Sequence, residues 1–254
     1  MDSTVLFHRH DRAIAVLTLN RPDKRNALTI ELMDALQAEI GRLEADADCR
    51  VVILCGAGPM FCAGLDLIEA AESKVAERSA QSVAKTFQAL VSSPLISIAS
   101  VQGGALAGGA GLMASCDFAV ATTDAKFGFP EVRRGLVPAL VSAVLRSRLR
   151  DSEMRQLFLL GEAIDAQSAL QLGLVQRVVP ERKLMEEVHW IAQTVCKGGP
   201  DAIRQTKELI RQVCGSNLNA IADTLSAHWK ARTGEEAKEG LAAFRERRQP
   251  NWMR

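Results

Sequence analysis

Val51-Val-Ile-Leu-Cys-Gly-Ala-Gly-Pro-Met-Phe-Cys-Ala-Gly-Leu-Asp-Leu67 decides how the rest of the chain is read. Val51–Cys55 is short and wholly apolar, the pattern of a strand covered on both faces. The run breaks at Gly56-Ala-Gly-Pro59 and passes through a turn of small residues, Cys62-Ala-Gly64, before turning polar at Asp66. The same unit recurs downstream. Leu95–Val101 is a second buried strand, and Gly103–Gly111 is a second glycine-rich turn that opens a short apolar helix through Ser115. Asp117–Thr122 is a third strand. Upstream, Val5–His8 and Ala13–Leu19 flank the polar turn Asp11-Arg12. Thr29 then stands as an N-cap before Leu32, Leu36, Ile40 and Leu43 at helical spacing. A helix is expected over 69–92, ended by Pro94. Strand and helix alternate, which implies parallel strands joined by right-handed crossovers.

The second half reads differently. Helices are expected at Ala139–Leu149, Ser152–Leu159 and Asp165–Leu172, then a brief strand Val175–Val179, then helices over 181–197, 200–213 and 217–247. The tail carries apolar stripes such as Ile203, Leu209 and Ile210 with little sheet left to cover, so these faces are expected to pack on another subunit. The chain divides into an α/β core, 1–195, and a C-terminal helical region, 196–254.

Composition narrows the class. The 254 residues are 48% hydrophobic and 24% charged, as in an ordinary globular protein. A net charge of +1 gives no field that draws the chain onto nucleic acid. The chain has no Tyr, so its arginine clusters lack the aromatic interleaving of a nucleic-acid surface. The most apolar stretch, Pro94–Ala121, is interrupted by glycines and Asp117 and does not read as a membrane span. Residues 1–20 do not read as a signal peptide, and a cytoplasmic protein is expected. The six cysteines form no Cys-x-x-Cys pair and no zinc-ligand spacing. Cys62, in a Gly-rich loop, is the one candidate thiol nucleophile. No metal is implied.

Chemistry is expected at the two glycine-rich turns. Small residues let a ligand approach the main chain, and a helix start points free N–H groups at it. Two such turns from neighbouring strands can aim two N–H donors at one oxygen, the geometry of an oxyanion hole. Two other readings stand beside this one. Gly109-Ala-Gly111-Leu-Met-Ala114 fits the loose G-x-G-x-x-A pattern of a dinucleotide site, and close helix–sheet packing also calls for glycine. A P-loop is excluded, because no Gly-Lys-Ser/Thr follows. Glu131, after Phe127-Gly-Phe-Pro130, sits where a partly apolar pocket would raise its pKa into a useful range.

An ordered set of motifs resembles the enoyl-CoA hydratase/isomerase (crotonase) family. It comprises Asn20-Arg-Pro-Asp-Lys-Arg-Asn-Ala-Leu28, the stretch 51–67, Gln102 through Asp117, Lys126-Phe-Gly-Phe-Pro-Glu131, Ala166 through Val175, and Glu239-Gly-Leu-Ala-Ala-Phe-Arg-Glu-Arg-Arg248. The resemblance implies a spiral of βββα units with a C-terminal oligomerisation region, forming a homo-trimer or a dimer of trimers. It implies an acyl-CoA substrate, with no cofactor beyond the CoA that the substrate carries. The oxyanion donors it implies are the backbone N–H groups of Leu65 and Gly108. CoA contacts fall to Ala27, Leu28, Ala63, Asp66 and Leu67, and to Phe244 and Arg247 of the C-terminal motif. The weakly patterned segment 68–82 is expected to shape the acyl pocket.

One position departs from the family pattern. Two-glutamate hydratases carry an acid where this chain has Gly111, so only Glu131 is left to transfer protons. Gly111 with Glu131-Val-Arg-Arg-Gly-Leu-Val-Pro-Ala-Leu-Val141 resembles a methylglutaconyl-CoA hydratase-like branch, whose substrates carry a second carboxylate that Arg133 and Arg134 can help neutralise. A hydratase is expected first. A Δ3,Δ2-enoyl-CoA isomerase using the same Glu is the alternative, and a non-catalytic CoA or RNA binder is the third reading.

Overall fold

The computed structural model describes residues 3–69, 73–214 and 218–253. Its main sheet has six strands in the order β1 (Val5–Arg9), β2 (Ile14–Leu19), β3 (Val51–Gly56), β4 (Ile96–Val101), β6 (Phe118–Thr122) and β9 (Arg177–Val179). The β1–β2 pair is antiparallel and every later pair is parallel. Side chains alternate along β3, and both faces are buried. Val51 and Ile53 join Ile14, Ile96, Ile98 and Val120 under Leu184, Val188 and Ile191 of α7 (Leu184–Cys196). Val52 and Leu54 face the larger core with Leu32, Leu36 and Ile40 of α1 (Ile30–Glu44). That two-sided burial is why the strand reads as an unbroken apolar run. Thr29 caps α1 as expected, its side chain accepting from the Leu32 N–H at 3.2 Å.

A second sheet was not legible in the sequence. It joins β5 (Gly104–Leu106), β7 (Lys126–Gly128) and β8 (Ala163–Asp165). The turn expected over 103–111 is therefore a short strand followed by α3 (Gly108–Ala114). This sheet carries the chain from the second turn to Glu131: β5 pairs with β7, and Pro130–Arg134 follows as a 3-10 turn.

Helices α2 (Ser73–Ser92), α4 (Ala139–Leu145), α5 (Asp151–Leu160) and α6 (Ala166–Gln171) complete the core. Residues 70–72, within the segment expected to shape the acyl pocket, lie outside the described residues. Beyond α7 come α8 (Pro200–Val213), α9 (Leu218–Arg232) and α10 (Glu235–Glu246). The helix expected over 217–247 is thus two helices, broken at Thr233-Gly234, where Gly234 takes the extended N-cap conformation of α10. Part of this tail packs on its own chain. Helix α9 packs on α2 and α4 of its own chain, and α10 on the Glu131 turn. Helix α8 does keep Leu209, Ile210 and Val213 exposed. Among the described residues, no helix is long and apolar enough to cross a membrane.

Candidate active site

The first turn is held by a knot around Asn26. Its side chain is fully buried, and its backbone is left-handed (φ 53°), a conformation Asn tolerates. Nδ2 donates to the Ala57 carbonyl at 2.9 Å and the Met60 carbonyl at 2.7 Å, while Oδ1 accepts from the Arg21 N–H at 2.9 Å. Arg21 bridges to the Asp66 carboxylate at 3.1 Å. The loop 20–28 is thereby tied to both ends of the turn 56–66. Sequence reasoning quoted Asn26 within a motif and missed its role. A buried Asn between two charged neighbours and an Ala was the available signal.

The tied loop pairs with the first turn. The Leu28 N–H donates to the Gly64 carbonyl at 2.8 Å, and the Leu28 carbonyl accepts from the Asp66 N–H at 2.9 Å. This pairing leaves the intervening Leu65 N–H pointing away from Leu28, and it finds no acceptor among the described residues. The second turn approaches at Gly64, which has φ 96°. A Cβ there would stand 2.8 Å from the Leu106 carbonyl oxygen and 3.4 Å from the Gly108 nitrogen. Ala107 adopts φ 48°, ψ −123°, anchored by its N–H donating to the Gly128 carbonyl at 2.8 Å. Such a conformation costs about 1–3 kcal/mol and persists only where surroundings enforce it. It aims the next N–H, that of Gly108, out of the turn. This second donor also has no acceptor among the described residues. The two unengaged N–H groups therefore border one small crevice, with Leu65 and Gly108 both partly accessible. A carbonyl oxygen in that crevice would gain most as it became an enolate oxygen.

The contacts expected from the first loop and first turn lie here, with some main-chain groups already engaged, while Phe244 lies against Arg134 and Arg247 ends α10. The Ala63 N–H donates to the Arg25 carbonyl at 2.9 Å and the Ala27 N–H to the Lys24 carbonyl at 3.1 Å. The Ala27 carbonyl itself accepts from Arg21. Leu28 is buried, both main-chain groups are paired, and its side chain lines the wall beside Gly108. Asp66 caps the turn that follows, accepting from Ile68 and Glu69. Leu67 remains partly accessible. Cys62 is corrected as a nucleophile. The thiol is fully buried, donates to the Asn26 carbonyl at 3.1 Å, and burial pushes it up to about 12, so it holds no thiolate at neutral pH.

Glu131 lies three residues past Gly128, whose carbonyl holds Ala107. Phe129, fully buried edge-on to Phe158 with ring centroids 5.1 Å apart, anchors the turn. The Glu131 Oε2 is sealed from solvent and has no hydrogen-bond partner among the described residues. Burial raises the carboxyl from an ordinary 4.5 to about 7, opposed by its own backbone N–H and by the charge of Arg134. An acid near half-ionisation at neutral pH can both accept and return a proton. Of the two arginines beside it, Arg133 turns away to the Leu160 carbonyl and Glu162. Arg134 lies over the Phe244 ring at 4.8 Å.

The enoyl-CoA hydratase/isomerase family model matches residues 9–254. The chain belongs to the enoyl-CoA hydratase/isomerase family. A Thermus thermophilus protein named "Putative enoyl-CoA hydratase" is 38% identical over 247 residues, covering 94% of this chain and 97% of that one. The "Short-chain-enoyl-CoA hydratase" of Clostridium acetobutylicum is 34% identical, covering 92% of each. The crystal structure of an enoyl-CoA hydratase from Mycobacterium avium superposes with a TM-score of 0.88 at 31% identity, over 99% of this chain and 100% of that one. These matches make the chain a crotonase-fold enzyme of the hydro-lyase/isomerase class acting on acyl-CoA thioesters.

Gly111 accounts for the departure from the two-glutamate pattern within this family. It is fully enclosed in α3. A Cβ there would stand 2.5 Å from Phe87 Cζ and 2.8 Å from Val141 Cγ1. Gly109 is as tight against the Cys62 carbonyl oxygen, at 2.4 Å. Close packing explains both glycines, and the dinucleotide reading is corrected. Reinstating an acid by Gly111→Glu is expected to destabilise the fold by about 3 kcal/mol or more through overpacking and a buried charge. Thermal melts should show this loss, and Phe87→Ala in the same chain should restore part of it. A Gly111→Glu protein that melts with the wild type would contradict the packing.

Proposed function

We propose that this enzyme hydrates an enoyl-CoA thioester, with the Leu65 and Gly108 N–H groups holding the thioester oxygen and Glu131 as the sole proton-transfer carboxylate. The observation that carries the proposal is the desolvated Glu131 with a free Oε2. In the addition, ionised Glu131 takes a proton from water as the water oxygen bonds to C3. The C2–C3 π pair becomes the second C1–C2 bond as the carbonyl π pair moves onto the thioester oxygen, and the carbonyl re-forms when Glu131 returns the proton to C2. Water is consumed and Glu131 ends in its starting state. Several relatives are named as hydratases, which supports this direction.

One observation favours a second reading. The atoms nearest a Cβ at Gly111 belong to Phe87 and Val141, so the side chains that replace an acid there are apolar. A proton shift between C4 and C2 needs only Glu131 and the two N–H donors, which is a Δ3,Δ2-enoyl-CoA isomerase. A substrate with its own second carboxylate, as in the methylglutaconyl-like branch, can supply the missing polar group for water. Arg134 is then the cation nearest to neutralise it. CoA contacts from Ala27, Ala63, Asp66 and Leu67, with Arg247 and Phe244 from the C-terminal motif, belong to this proposal, as does assembly into trimers through exposed α8.

Crotonyl-CoA, 3-methylglutaconyl-CoA and 3-hexenoyl-CoA separate these readings by mass spectrometry and ultraviolet absorbance. Gain of one water with either 2-enoyl substrate supports hydration, and a moved double bond at constant mass selects the isomerase. No turnover of any of them, with CoA thioester still bound, would leave a binding protein.

A further inference from the structure

Helix α10 meets the Glu131 turn backbone against backbone at two glycines. A Cβ on Gly240, in the middle of α10, would stand 2.3 Å from the Arg134 carbonyl oxygen. A Cβ on Gly135, which closes the turn with φ 67°, would stand 2.2 Å from the Glu236 carbonyl oxygen. Each glycine is thus the landing point for the other element's main chain. Glycine in a helix interior is intrinsically unfavourable, so close approach is what calls for it at 240. Beside the crossing, the Arg134 guanidinium covers the Phe244 ring at 4.8 Å. Next to it lies a cavity of about 830 Å³ lined by Val132, Gly135, Leu136, Phe158 and Glu236. Close contact between turn and helix is therefore local, concentrated at the crossing.

We propose that α10 is part of the proton-transfer site: the Gly135–Gly240 crossing positions the turn that carries Glu131 and fixes how deeply its carboxyl is buried, and the Phe244 ring holds the Arg134 cation beside it. Gly240 and Arg134 are positioning residues, acting through Glu131. The proposal rests on Glu131 being the proton-transfer residue.

Charges on the packed elements leave Arg134 as the one that acts on Glu131. On α5, Glu153 pairs with Arg150 and Asp151 with Arg155. Arg133 pairs with Glu162. On α10, Glu235 pairs with Lys238 and Glu239 with Arg248, while Glu236 meets the turn through its carbonyl. Two substitutions then act in opposite directions. Gly240→Ala puts a methyl group into the crossing, lifts α10 from the turn and hydrates Glu131. Arg134→Gln removes the one cation that favours the ionised form.

The test is the pH dependence of kcat for wild type, Gly240→Ala, Arg134→Gln and Glu131→Gln, with whichever CoA thioester the wild type turns over. Wild type is expected to show a midpoint near 7, and Glu131→Gln to lose activity. In Gly240→Ala the midpoint should fall towards the ordinary carboxyl range, with kcat roughly 10–100-fold lower from misplacement. In Arg134→Gln the midpoint should rise. Wild-type midpoints in both variants would overturn the role of α10 while leaving Glu131 in place. A Glu131→Gln protein with a wild-type profile would overturn both together. If Gly240→Ala does not fold, Arg134→Gln decides alone: an unmoved midpoint rejects the proposal.

Discussion

Glu131→Gln is expected to lower kcat by roughly 10²–10⁴-fold, the range that a positioned general acid–base supplies, while CoA thioester binding stays near wild type. Gln keeps the volume and one carbonyl acceptor, and it cannot carry the proton. The same substitution is expected to stabilise the fold, because the carboxyl is held against its preference. Its folded pKa of about 7 lies above the ordinary 4.5. The unfolded chain therefore ionises first as pH rises, and stability drains away between those two values. Above pH 7 the full penalty, about 3 kcal/mol, is in place. Below the ordinary range, both states carry a protonated carboxyl and the penalty vanishes. Denaturant unfolding of both proteins at pH 4 and pH 8 checks this. The variant should gain stability at pH 8 and little at pH 4. Equal stability at both pH values would mean that Glu131 is hydrated in the folded enzyme.

A large stability loss is expected from Asn26→Ala. Three hydrogen bonds end on this fully buried side chain. Truncation leaves the Ala57 and Met60 carbonyls and the Arg21 N–H without those partners, at about 1–3 kcal/mol for each group that stays dry. Ala is also less tolerant than Asn of the left-handed backbone at this position. Partial hydration of the loop reduces the sum, and about 3–4 kcal/mol of lost stability is expected. For a chain of this length that is a fall in melting temperature on the order of 10 °C. Asn26→Asp should lie between, since it keeps the acceptor for Arg21 and loses both donors. Because Asn26 ties the loop 20–28 to the first turn, KM for CoA thioesters should rise along with the instability. A melting temperature within about 1 °C of wild type would show that the knot is not under load.

The parts of this molecule that sequence could reveal are those with long local patterns. Strand β3 announces itself because burial on both faces makes Val51–Cys55 apolar throughout, and β4 reads as a buried strand although Ser97 and Ser100 interrupt it. Helix α1 announces itself because a capping Thr precedes a regular stripe. Strands β5, β7 and β8 are three residues each, too short to alternate, and their pairing is set by partners tens of residues away. The break between α9 and α10 hides because the apolar spacing continues across Gly234. Glu131 was legible as a candidate through the motif around it. Its surroundings were not, since Phe87 and Val141 close over Gly111, and Gly240 meets Arg134, across long separations in the chain. The arginines show the same limit: adjacent in sequence, Arg133 and Arg134 point to different neighbours for reasons that only packing sets.

Exchange of solvent deuterium into the C2 position of butyryl-CoA, followed by mass spectrometry, tests the central claim most directly. This saturated thioester can neither hydrate nor isomerise, so the label reports enolate formation at the two N–H donors and proton transfer by Glu131. The wild type is expected to add deuterium at C2 in D2O, and Glu131→Gln to add none above the uncatalysed rate. Equal exchange by both proteins would contradict the assignment of Glu131 as the residue that moves the proton.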